Sequence, residues 1–233
     1  MKKLILLLSI SFLLLSCSNN DNASSSNNNP QLTATPVKDI DGNSYNTVVI
    51  GKQVWMQRNL DVTHYRNGDI IPQVTDSQQW KTLTTGASCY YENDPANASY
   101  GKLYNAYAVH DPRGLAPLGV HVASATEYQT LFDYCFTLGL IGNGLRETGF
   151  THWSDPNDSS NITGFTALGT GDRAENGGFQ GQKGYSRFWT STKYPGSDKF
   201  SYTSWIVRNN QVISGEGLGW TNKIGCPVRC IKD

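Results

Sequence analysis

The sequence predicts an α+β domain over residues 37–233, with about two helices against a small antiparallel sheet and a long structured loop region. Three observations carry this. Ala125 to Leu138 has helical periodicity with a signal at each end. Alternating apolar runs separated by turn chemistry lie on both sides of it. Gly139 to Gly184 is rich in Gly, Asn and Asp, yet it keeps Phe150, Trp153, Phe165 and Phe179, which argues for an ordered loop region.

Taken in order, the domain opens on a hairpin. Asp39-Ile40-Asp41-Gly42-Asn43 is turn chemistry, Tyr45 to Ile50 alternates, Gly51-Lys52 turns and Gln53 to Met56 returns. Arg66-Asn67-Gly68-Asp69 marks a second turn, and Thr75 or Asp76 caps a short helix through Trp80 and Leu83. A further short helix is expected through Leu103, Tyr104, Tyr107 and Ala108. The main helix has a capping box at Ser124 and Glu127 and a left-handed stop at Gly139. Tyr128, Leu131, Phe132, Cys135 and Leu138 form its buried stripe. Strands are expected at Arg187 to Thr192, Phe200 to Val207, Gln211 to Ser214 and Gly225 to Ile231, with Asn209-Asn210 as a tight turn.

The first 36 residues specify an address. Lys2 and Lys3 precede a short apolar run, Leu4 to Leu15, and Ser16-Cys17 ends it, so residues 1–16 read as a cleaved export signal. A cysteine at that point is the pattern of a bacterial lipoprotein, whose Cys17 thiol receives a diacylglycerol and whose new amino terminus receives a further acyl chain such as palmitate. Three acyl chains exceed the roughly two signals that stable anchoring needs. Ser18 to Asn29 (SNNDNASSSNNN) has too little apolar surface to order, so residues 17–36 read as a lipidated, disordered tether. A coil of about 18 residues reaches about 21–25 Å. The expected location is the cell envelope, on a lipid anchor in the outer membrane.

Residues 37–233 contain all 23 glycines and all six tryptophans, enough chain for a substantial core. Without Lys2 and Lys3, 17 basic groups face 19 acidic ones, and no basic stripe accompanies the aromatics, so nucleic acid is not an expected partner. Beyond Cys17 the cysteines are Cys89, Cys135, Cys226 and Cys230. An even number in an exported chain suggests two disulfides. Cys226 and Cys230 would sit about 13 Å apart along one strand, and a disulfide needs Cα atoms within about 7 Å. Each is therefore expected to pair with Cys89 or Cys135.

Five segments resemble a known family. They are DIDGNSYNTVVIGKQVWMQRNL (Asp39 to Leu60), YGKLYNAYAV (Tyr100 to Val109), ETGFTHWSDPNDSSNITGFTAL (Glu147 to Leu168), FWTSTKY (Phe188 to Tyr194) and VRCIKD (Val228 to Asp233). In this order they resemble the Fibrobacter succinogenes major paralogous domain of bacterial envelope proteins. The resemblance implies a relative of the C-type-lectin-like fold. The chain departs from the family pattern where Cys-Pro is replaced by Ala116-Pro117 and where Gly119-Val120-His121-Val122-Ala123 stands for Gly-Trp-His-Val-Pro. Gly169-Thr170-Gly171 likewise replaces Pro-Gly-Gly. Cys135 and Cys226 look like additions, which implies a relocated disulfide from Cys135 to the terminal strand.

Candidate sites divide by chemistry. Asp39, Asp41 and Asn43 open like an EF-hand, but Gly42 falls too early and Ile50 stands where the glutamate should be, so the segment reads as a turn. Asp155, Asn157 and Asp158 offer calcium-type oxygens beside Trp153, but the Glu-Pro-Asn and Trp-Asn-Asp triplets of calcium-dependent lectins are missing, so no cofactor is expected, with calcium as the alternative. His64, His110, His121 and His152 stand singly, without zinc spacing, and His121 is placed beside the start of the main helix. There is no Gly-x-Ser-x-Gly elbow and no phosphate loop. Glu92 with Asp94, or Glu147 with Asp155, are carboxylate pairs, and glycoside chemistry would need them in a cleft. Formylglycine-generating enzymes, distant relatives by fold, use active cysteines, and Cys226 and Cys230 do not form a recognisable version of that site. Flat rings stack on sugars, which makes Trp220 and then Trp153 the exposed candidates, whereas Trp189 and Trp205 read as core.

The expected function is therefore a non-enzymatic ligand-binding domain held at a membrane. Its ligand would be a glycan or an envelope protein, gripped by Gly139 to Gly184 and Leu218 to Lys223. The alternatives are a structural or assembly role, and an enzyme of the formylglycine-generating type. Replacing Cys17 by serine is expected to move the protein from the membrane to the soluble fraction, which fractionation and immunoblotting would read; unchanged membrane association would defeat the anchor.

Overall fold

Turn chemistry organises the first part of the chain. The structure, a computed structural model, describes residues 34–140, 142–207, 212–213 and 219–233, with the side chains of Trp205, Val207, Val212 and Ile213 outside the description. The signal segment, Cys17, the tether up to residue 33 and the Asn209-Asn210 turn lie outside the described residues.

Strands β1 (Val37–Lys38) and β2 (Ser44–Tyr45) pair across the expected turn. The Asp39 carboxylate accepts from the Asn43 backbone N–H at 2.8 Å and from the Tyr45 hydroxyl at 2.6 Å. Strands β3 (Thr47–Ile50) and β4 (Gln53–Met56) form the expected hairpin around Gly51. Helix α1 (Ser77–Thr82) is capped by the Asp76 carboxylate. Strand β5 (Ser88–Cys89) pairs with β6 (Leu103–Tyr104), so the helix expected from Leu103 shrinks to one turn, α2 (Ala106–Val109). Leu103 and Tyr104 are held extended by that pairing, which overrides their local preference.

Strand β7 (Val120–Val122) leads into α3 (Ala125–Thr137), where both hydrogen bonds of the Ser124–Glu127 capping box are made. Gly139 follows at φ +68°, a conformation few other residues adopt without strain. Tyr128, Leu131, Phe132 and Cys135 are buried as expected, whereas Leu138 lies one residue past the helix and is 53% exposed. Among its described residues the loop region contributes a 3-10 turn at Gly142–Gly144 and the short strand pair β8 (Asp172–Arg173) and β9 (Phe179–Gln180). Next come β10 (Tyr185–Lys193), β11 (Phe200–Val207), β12 (Val212–Ile213), β13 (Trp220–Thr221) and β14 (Cys230–Lys232). The strand expected from Gly225 is regular only at β14, and Gly225, Cys226 and Val228 make isolated bridges.

Among the described residues, two four-stranded sheets result. One has the order β3-β4-β14-β7, so a strand from the end of the sequence sits between the first hairpin and β7. The other is β10-β11-β12, with β13 also on β11. The Trp189 N–H donates to the Pro227 carbonyl at 3.1 Å and joins them. Helix α3 packs on β10 and β11, and its Tyr128 ring meets Trp55 at 5.1 Å and Phe188 at 5.8 Å between centroids. The protein is thus mixed α and β, with small antiparallel sheets and few helices.

Beside the start of α3, His121 Nε2 lies 2.8 Å from Glu127 and Nδ1 lies 2.8 Å from Asp233, which ties β7, the helix cap and residue 233 together. Partial burial pushes the imidazole down, but the hydrogen bonds to Asp233 and Glu127 outweigh it and hold His121 above its ordinary value. Burial likewise opposes ionisation of Glu127, yet the Ser124 N–H and His121 hold its pKa low. The raised His121 stabilises below its unfolded pKa of about 6.5 and loses that as pH rises; Glu127 stabilises above about 4.3 and loses that as pH falls. The melting temperature of His121→Ala is therefore expected to lag the parent most near pH 5–6 and to close the gap above about pH 8. Thermal unfolding across that range checks it, and a constant gap would remove the clamp.

Candidate functional site

The tryptophan expected to be exposed in the loop region is core. Trp153 is fully buried and donates its indole N–H to the Ala167 carbonyl at 2.9 Å, with the Arg146 guanidinium 5.4 Å from its ring. It offers no face to a ligand, because the loop folds over it. Asp155 stands exposed beside it. Asn157 donates to the Glu147 and Gly149 carbonyls at 2.9 and 2.6 Å, and Asp158 accepts from Arg146 at 2.7 Å. Asn157 and Asp158 thus build the loop. Among the described residues, no group of three or more His, Cys, Asp or Glu side chains is placed to hold a metal ion.

Trp220 is half-buried rather than open. Its ring lies against the core that contains Trp189, and the Arg187 guanidinium covers it at 3.9 Å. Cation–π contact with a partly desolvated arginine takes up the face a sugar would need. Trp189 is fully buried as expected, and Trp205 lies in β11.

The expected disulfides are absent, and Cys89, Cys135, Cys226 and Cys230 are all free and buried. The physical reason is their distribution. Cys135 packs with Trp55 and Phe132, Cys89 packs with Trp80 and Leu103, and Cys226 and Cys230 share the core around Met56 and Trp189. Neither expected partner of the terminal cysteines lies in their cluster. Burial pushes Cys89 and Cys135 up to about 11 and Cys230 up to about 12, and places Cys226 well above its ordinary value. The thiols behave as small apolar side chains.

The best polar concavity is a cleft of about 400 Å³ between α2, the turn after it and the β11–β13 region. Its floor is a hydrogen-bonded series. The buried Ser201 hydroxyl donates to Asn222 Oδ1 at 2.8 Å and lies 2.9 Å from His110 Nε2. With its one proton committed to Asn222, Ser201 accepts from His110, which sets the Nε2–H tautomer and leaves Nδ1 as an acceptor. Burial, aided by Lys193, lowers His110 to about 4, so the ring is neutral at ordinary pH. Asn222 also donates to the Asp198 carbonyl at 2.8 Å, and its own carbonyl accepts from Ala106 N–H, locking the loop onto α2. Around this floor stand Tyr107, Phe200 (40% exposed), Lys193 and Asp198. Arg113 and Asp111 close on each other through two bonds of 2.8 Å, so the cleft carries little net charge.

Three other hollows among the described residues are more apolar. One of about 210 Å³ is walled by Ile40, Leu115 and Leu118, with Arg66 spent on the Ala116 carbonyl. Two more, of about 340 and 410 Å³, adjoin at Ile50 and Tyr134 and reach Leu138 and Ile162. Apart from these, His152 Nδ1 is 2.8 Å from Glu147 and Nε2 is 3.2 Å from the exposed Ser99 hydroxyl. That is the order of a nucleophile, a base and an orienting acid, but Ser99 lies outside all four hollows.

The model of the family described as the Fibrobacter succinogenes major domain matches residues 48–232. The chain belongs to this family. Neither the curated proteins nor the solved structures give a match. In this Fibrobacter succinogenes major domain the cleft draws on four distant segments, around Thr85, Tyr107, Phe200 and Asn222, which hid it from sequence reading. One signal was present: Asn222 lies in the Leu218 to Lys223 segment expected to grip a ligand.

The thiol environments give a direct test. A thiol reagent should label none of Cys89, Cys135, Cys226 and Cys230 in the folded protein, and all four after denaturation without reductant. A pair that stays unlabelled until reduced would reinstate a disulfide.

Proposed function

We propose that the protein is a lipid-anchored component of the bacterial envelope, held to the outer membrane through Cys17, whose domain binds a sugar-like ligand without catalysis in the cleft around His110 and Asn222. The observation that carries this reading is the composition of the cleft. It combines a neutral imidazole acceptor, a tyrosine, two cations, two carboxylates and an exposed aromatic ring, with little net charge. Polyols present alternating donors and acceptors above an apolar face, and such a mixed surface matches them. High-pKa buried thiols favour binding over cysteine chemistry. The C-type-lectin-like relation belongs to the same proposal, and the helix, the looped sheet and the central terminal strand support it.

A second reading, an assembly role, draws on the exposed apolar surface at Tyr134, Leu138 and Ile162, the last 71% exposed. Surfaces of this kind mark protein contacts when they are contiguous.

A glycan array probed with the detergent-solubilised full chain separates the two. Tyr107→Ala and Lys193→Ala are expected to weaken the best glycan by about tenfold or more, near 1.4 kcal/mol, with the melting temperature nearly unchanged. Ile162→Ser should leave glycan binding intact. Empty arrays, together with an association that Ile162→Ser abolishes, would favour assembly instead.

A further inference from the structure

The pair Asp61 and Lys102 is unusual for its burial. Lys102 is 1% exposed, and its Nζ stands 4.0 Å from Asp61 Oδ1. That is too long for a hydrogen bond, and Oδ1 is a buried oxygen without a hydrogen-bond partner. Buried polar atoms are nearly always satisfied, and an unpaired one calls for an explanation. The backbones leave the two side chains little freedom to separate. Lys102 N–H donates to the Leu60 carbonyl at 3.1 Å, and two residues on the Tyr104 hydroxyl donates to the Val62 carbonyl at 2.9 Å. Gly101 lets the two segments come this close, since a Cβ there would stand 2.9 Å from the Leu60 oxygen.

We propose that Lys102 and Asp61 join through an intramolecular amide, a covalent cross-link between the segment after β4 and the start of β6. The Nζ lone pair attacks Asp61 Cγ, an N–C bond forms, and a C–O bond breaks. The carboxyl hydroxyl leaves with one Nζ proton as water, and the second Nζ proton stays on the amide. Nothing is oxidised or reduced, and no co-reactant is needed.

The surroundings suit each stage. Burial pushes Lys102 down and Asp61 up, despite their mutual attraction, which favours the neutral amine and the neutral acid that the reaction uses. Nζ sits 3.6 Å from the centroid of the Tyr90 ring, a π face that stabilises the positive charge nitrogen carries as it adds to the carbonyl carbon. The Tyr90 hydroxyl also hydrogen-bonds to the Asp61 carboxyl and helps to hold it beside the amine. Holding both groups in one fold makes the encounter unimolecular, the source of high effective concentration. The product replaces a buried cation and a partly buried carboxylate with one neutral amide, relieving the desolvation penalty that each charge carries.

Peptide mapping of the folded full-length protein tests this without any variant. After trypsin, the peptide Asn59 to Arg66 should be recovered joined to Thr82 to Arg113, at the summed mass less one water. Cleavage after Lys102 should be lost, because an amidated lysine is not a trypsin site. Lys102→Arg should give Asn59 to Arg66 unlinked. Asp61→Asn should restore the same link, with ammonia in place of water as the leaving group. If Asn59 to Arg66 and Thr82 to Lys102 are recovered separately at full mass, freshly purified and again after prolonged incubation in the folded state, the pair is an ordinary ion pair and the proposal fails.

Discussion

The rest of the domain depends on one buried guanidinium. Arg229, fully buried just before β14, donates to the Met56 carbonyl at 2.8 Å, the Phe165 carbonyl at 2.6 Å and Asn59 Oδ1 at 2.8 Å. Its plane lies 4.4 Å from the Phe165 ring and 5.7 Å from Phe188. The end of the first hairpin, the loop region and the terminal segment therefore meet at one side chain. Burial lowers its pKa to about 10, which still leaves it charged at neutral pH. Removing it would strand several carbonyl acceptors in the core at once, whereas a lysine offers no planar fork to reach them.

The same device recurs where the loop region has little secondary structure. Buried Arg173 donates to the Val74, Thr75 and Gly177 carbonyls and packs 4.3 Å from Trp80, which fastens β8 to the start of α1. Buried Arg146 reaches Asp158 and faces Trp153. Loops carry many backbone acceptors without ladder partners, and a five-donor cation satisfies several at a time. The long region from 142 to 184 is ordered in this way with almost no strand of its own, and the polar cleft is lined by other segments, among them α2, the start of β11 and Asn222 after β13.

Local signals were the legible part. The capping box at Ser124 and Glu127, the Gly139 stop and the β3–β4 hairpin each depend on residues within a few positions of one another, so the sequence carries them openly. What escaped was set over long distances. Trp153 reads as a candidate binding ring until Ala167 is seen to accept its N–H, and Trp220 until Arg187 is seen to cover it. Four cysteines in a chain that reads as exported point to disulfides by number alone, while pairing needs thiols in the same cluster. His110 and Ser201 are 91 positions apart, and no periodicity links them.

The placement of Cys230–Lys232 in the middle of a sheet whose other strands begin at Thr47 has a temporal consequence. A chain made or threaded N-terminus first cannot close that sheet, or seat Arg229 under the hairpin, until nearly its whole length has emerged. Native pairing of such long range forms slowly compared with local contacts. The early hairpin must wait with β4 unpaired on one side, a state in which the polypeptide is still pliable. Late closure thus leaves that sheet unfinished until the last few residues of the chain are available.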